Sequence, residues 1–169
     1  MTRIAAFALI ALGACLPQVA AAEDPKDLAA TIIRDVCVTT LPDFKTAIDR
    51  SVELKLLTKD SNDIALDDDT KVSLTVTGEQ EIFGIKIEPL CVVALLGHEG
   101  KDLIETGEKL AAELGTGVEQ EGDGSDMEED GITWYFDLDD RPVSLTVLQD
   151  SVFGFWKSAI LSLSTEGEL

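Results

Sequence analysis

The run Leu90-Cys91-Val92-Val93-Ala94-Leu95-Leu96 constrains this chain most, because it is the densest apolar stretch after the N-terminus. It reads as a buried central strand. Cys91 within it offers a covalent tie to a distant part of the chain.

The partner for that tie is Cys37. A third cysteine, Cys15, lies in a segment with the layout of an export signal. Arg3 supplies a positive n-region, residues 4–12 an apolar h-region, and Ala20-Ala21-Ala22 a small-residue cleavage site before Glu23. The apolar part is shorter than the about 20 residues a spanning helix needs. Residues 1–22 are therefore expected to be a signal peptide and 23–169 a single exported domain, periplasmic or secreted, with a bacterial-looking leader. Leu12-Gly13-Ala14-Cys15 also resembles a lipoprotein cleavage box, which would anchor the chain through a lipidated Cys15. Cleavage after Ala22 leaves Cys37 and Cys91, and an even pair in an oxidising compartment predicts a disulfide.

Charge narrows the partners. The formal charge is −20, and losing Arg3 with the leader makes it −21. Nucleic acid and anionic membrane surfaces are poor partners for such a chain, whereas cationic proteins or divalent cations suit it.

Along the chain, Leu28, Ile32, Ile33 and Val36 recur at helical spacing and predict a first helix over 26–36. Thr40-Leu41-Pro42-Asp43 has the spacing of a capping box and predicts a second over 41–56. The segment 58–70 reads as polar turns. Val72, Leu74 and Val76 alternate as a strand, 78–81 turns the chain, and Ile85 to Leu96 reads as a long second strand with a break at Pro89. A third helix is expected over 101–114, with Gly115 as a left-handed stop. Residues 118–130 read as an acidic, solvated loop. Three strands close the chain in a meander near 132–138, 143–147 and 155–164.

The expected fold is α+β: one five-stranded antiparallel sheet, helices mainly on one face, and a helix-to-sheet disulfide. Its element order, ααββαβββ, resembles the profilin, roadblock and PAS-like architectures. That resemblance is one of order alone and implies no function.

Few constellations carry chemistry. His98 is the lone histidine, beside Glu99, with no nucleophile elbow or phosphate-binding glycine loop in the chain. Asp126, Glu128 and Asp130, followed by Gly131, partly match a calcium-loop spacing, but Glu128 is long for its position and a strand follows. These acids and His98 are the metal candidates. The late aromatics Trp134, Tyr135, Phe153 and Trp156 are candidates for a docking surface, with the sheet core as the ordinary alternative. No cofactor and no catalytic group is expected. The leading expectation is a non-enzymatic exported binding module. The alternatives are an acidic inhibitor or docking partner of a cationic exported protein, such as a lysozyme-like hydrolase, and a metal-dependent protein or enzyme built on His98.

Overall fold

The computed structural model describes residues 24–124, 131–152 and 156–165. The expected leader over 1–22, with Cys15, lies outside them.

Helix α1 (Pro25–Ile32) begins at Asp24, whose carboxylate accepts the Lys26 N–H at 3.0 Å, and Pro25 fills the first turn, where no N–H is needed. Helical backbone runs past the expected end through a π turn (Ile33–Cys37) and a 3-10 turn (Val38–Thr40). Thr40 does not cap a second helix. Its hydroxyl donates back to the Val36 carbonyl at 2.8 Å. Helix α2 is accordingly short (Ala47–Glu53). Phe44, fully buried, adopts a φ of 53°, so burying its ring overrides the helical spacing of 41–46.

The sheet overturns the five-stranded expectation and the profilin, roadblock or PAS-like order with it. Eight strands form one antiparallel sheet: β1 (Thr58–Lys59), β2 (Ile64–Asp67), β3 (Val72–Thr77), β6 (Leu90–Leu96), β7 (Thr116–Glu121), β8 (Ile132–Leu138), β9 (Arg141–Val152) and β10 (Trp156–Thr165). Their order is β1-β2-β3-β6-β10-β9-β8-β7. β4 (Gln80–Ile82) and β5 (Ile85–Ile87) pair separately. The additional strands lack an apolar period. β1 and β2 arise inside the polar segment as a hairpin added to β3, and only Ala65 among them is buried. β7 occupies the first part of the expected acidic loop, and all of it is exposed. An edge strand needs only one partner, and its glutamates discourage pairing with another chain.

One face of the sheet holds the core. Val72 and Leu74, Cys91, Val93 and Leu95, Ala159, Leu161 and Leu163, Val143, Leu145 and Val147, and Ile132, Trp134 and Phe136 are all buried on it. Helices α1, α2 and α3 (Ile104–Leu114) lie on that face. Gly115 follows α3 in extended conformation (φ −132°), not the left-handed one expected. Its lack of a side chain matters for packing: a Cβ there would stand 2.0 Å from Cδ2 of Phe136.

Cys37 and Cys91 are bonded, with Cα atoms 5.9 Å apart, tying the end of the first helical segment to the middle of β6.

Candidate binding surface

The most distinctive surface grows out of the β3–β6 pair. Those strands pair from Val72↔Leu95 to Thr77↔Leu90, and β4–β5 then resume in the same register, from Gln80↔Ile87 to Ile82↔Ile85. The whole is one long hairpin with its ladder interrupted where Gly78-Glu79 face Glu88-Pro89. Pro89 has no N–H to donate, so the expected break is present. What the break does differs from expectation: Ile85–Ile87 leave the main sheet.

Among the described residues, the pairing of the neighbouring strands does not reach this tip. β10 is paired with β6 up to Ser164↔Leu90, and β2 accompanies β3 to Ile64↔Thr75. A Cβ added at Gly78 or Gly84 would meet no atom within 4 Å. Residues 78–89 thus form a two-stranded finger, and at about 3.3 Å per residue its tip stands on the order of 20 Å along the chain from Thr77.

The turn at the tip is Phe83-Gly84, with φ of 54° and 81°. Positive φ at both central residues belongs to the mirror-image turns that match strand twist. Phe83 is 100% exposed. Below it, Lys86 lies 3.3 Å from Glu88 and 3.7 Å from Glu79. The hydrogen bond that Lys86 donates to Glu88, then the charges of both acids, hold the ammonium above its ordinary pKa. With Glu81 also exposed, the stem is acidic. Sequence reasoning missed this finger by placing the turn at 78–81. The overlooked signal was an X-Gly pair centred between Gln80-Glu81-Ile82 and Ile85-Lys86-Ile87.

A second surface is the sheet face opposite the helices, which no described helix covers. It is lined by Ser and Thr, with cross-strand bonds at 3.0 Å for Thr133–Thr146 and 2.7 Å for Ser144–Ser164. Leu96 and Leu148 are its most exposed apolar members, at 42% and 37%. Tyr135 sits on this face near the β7 edge and donates to Glu121 at 3.0 Å.

The other predicted residues do not converge. Trp134 is buried in the core, so its ring is not available for docking. Trp156 opens β10 opposite Val152. Phe153, Asp126, Glu128 and Asp130 lie outside the described residues. His98, half-buried, lines an open depression of about 730 Å³ with Asp24, Lys26, Asp69, Thr70 and Asp102. Among the described residues, no three His, Cys, Asp or Glu side chains come together as a metal set.

Many of the described bases are engaged by acids. Lys45 meets Asp43, Lys59 meets Asp49, Lys109 meets Glu105, Arg50 meets Glu53, and Arg34 meets Asp35 and Glu113. Glu99 is the hub of a larger group. It accepts from Lys101, and from Lys157 of β10 at 2.8 Å, while its N–H donates to the Asp102 carboxylate at 3.1 Å. Those two lysines, Lys101 foremost, lower the Glu99 carboxyl from its ordinary 4.5 to about 2. A folded-state pKa below the unfolded one stabilises the fold above the unfolded value and is lost as pH falls through the folded one. The contribution of Glu99 therefore vanishes between about 4.5 and about 2. Urea titrations across that window should show a smaller loss of stability for Glu99→Gln than for the parent. Equal losses would mean that the group is inert.

No family model matches this chain, and neither the curated proteins nor the solved structures compared with it supply a match.

Proposed function

We propose that the chain is an exported, non-enzymatic binding module whose partner is a cationic protein. The carrying observation is electrostatic: acids far outnumber bases, giving a charge of −20, and bases such as Lys45, Lys59, Lys109 and Lys157 are held by neighbouring carboxylates, so the outward field is negative. A field of this sign steers basic partners and repels nucleic acid and anionic lipid. Residues 1–22 act as the export signal in this reading. The buried Cys37–Cys91 disulfide supports an oxidising location, since such bonds persist outside the reducing cytosol.

The test is retention of exported proteins on the immobilised 23–169 chain at low and high salt. Basic proteins should be retained, with association slowing roughly tenfold or more as salt screens the field. Retention of acidic proteins, or association indifferent to salt, would refute the reading.

A further inference from the structure

We infer that the β4–β5 finger is the anchor of this interface: Phe83 seats in an apolar pocket, rimmed by basic side chains, on a protein partner. The inference rests on the cationic-partner reading and names the residue that holds the complex together.

Two unfavourable features meet at Phe83. Its φ of 54° lies in the left-handed region, where a side chain bearing a Cβ is strained and where Gly, Asn or Asp are the ordinary choices. Its ring, wholly exposed, buries nothing within its own chain. Neither backbone preference nor folding accounts for an aromatic at this position. Local strain that folding does not explain points to use elsewhere. A ring on a hydrogen-bonded two-stranded support gains when a second molecule covers it, and large aromatics in desolvated pockets are the residues that dominate such contacts. The finger extends past the last paired residue of β2 and past the described part of β10, and its tip residue Phe83 is exposed.

Chemistry around the tip selects the partner. Glu79, Glu81 and Glu88 surround the stem, and its one base, Lys86, is held between two of them. An anionic bilayer would repel this approach. A second copy would press the same acids together. A protein pocket that is apolar at depth and basic at its mouth satisfies both the ring and the carboxylates. The acids then govern the association rate and its salt dependence, and Phe83 governs dissociation.

The experiment places the photo-crosslinker p-benzoylphenylalanine at position 83 of the full chain in cells that export it, with the same group at exposed Val52 on α2 as control. An adduct with a basic protein is expected from position 83 and not from 52. That protein, purified, should bind Phe83→Asn at least tenfold more weakly than the parent, through faster dissociation. The thermal midpoint of the variant should be unchanged or higher, which separates lost contact from lost fold. The triple variant Glu79→Gln, Glu81→Gln and Glu88→Gln should bind with slower association and a flatter salt dependence. Self-adducts, absence of an adduct at 83, or flotation with phosphatidylglycerol-containing vesicles would each overturn the anchor. Equal affinity of Phe83→Asn for a captured basic protein overturns the anchor while leaving the cationic-partner reading intact. An acidic protein captured through position 83 overturns that reading and the basic rim together.

Discussion

Replacing Cys37 and Cys91 together by alanine is expected to lower the unfolding free energy by about 4 kcal/mol. The figure follows from the 54-residue separation of the bonded pair and the denatured-chain entropy that a closed loop of that size removes. Both cysteines are fully buried, and the bond joins two layers of the core. The loss is a large share of the 5–15 kcal/mol by which domains are commonly stable. For a chain of this size it corresponds to a fall of roughly 10 °C in thermal midpoint. Urea denaturation of the parent and the double variant gives the difference directly. A loss under about 1 kcal/mol would show that the alanine chain's denatured state is already compact around this link.

The second large effect is expected where α3 crosses β8. A methyl group at Gly107 would stand 2.5 Å from Cζ3 and 2.7 Å from Cη2 of Trp134, and 3.1 Å from Val147. Neither ring nor strand has room to retreat in a packed core, so Gly107→Ala should cost about 1–3 kcal/mol by overpacking. Better helix propensity offsets under about 1 kcal/mol of this. The two clashing atoms belong to the benzo ring of the indole, which phenylalanine lacks. Gly107→Ala should therefore be markedly milder in a Trp134→Phe background, giving a coupling of roughly 1 kcal/mol in a double-mutant cycle. Additive effects would place the cost in the helix backbone instead. The cycle also bears on the indole Nε1, which is buried and has no hydrogen-bond partner among the described residues. Phenylalanine removes that orphan donor, so Trp134→Phe alone should cost less than its lost area suggests.

The proposed anchor and the core make opposite demands on aromatic residues. Trp134 and Phe136 are held against Gly107 and Gly115, where even a methyl group would collide. Phe83 is fully exposed. The late aromatic cluster, attractive as a docking surface on composition, contributes Trp134 and Phe136 to the interior. A solitary phenylalanine in the middle of the chain became the surface candidate.

Those features that repeat locally were readable without coordinates. Cys91, Val93 and Leu95 face inward because a strand's side chains alternate, and the same period marks β3 and the β8–β10 meander. The pairing of Cys37 with Cys91 followed from counting thiols outside the expected leader. Elements defined by what lies beside them were not readable. β1, β2 and β7 have no apolar period of their own; backbone pairing with an adjacent strand creates them. Helix α2 lost its first turns because Phe44 enters the core. The finger shows the division most clearly. Pro89 announced a break, but whether Ile85–Ile87 joined the sheet or left it depended on whether a neighbouring strand such as β2 reached that far. That is a matter of contacts between distant segments, to which no local period is sensitive.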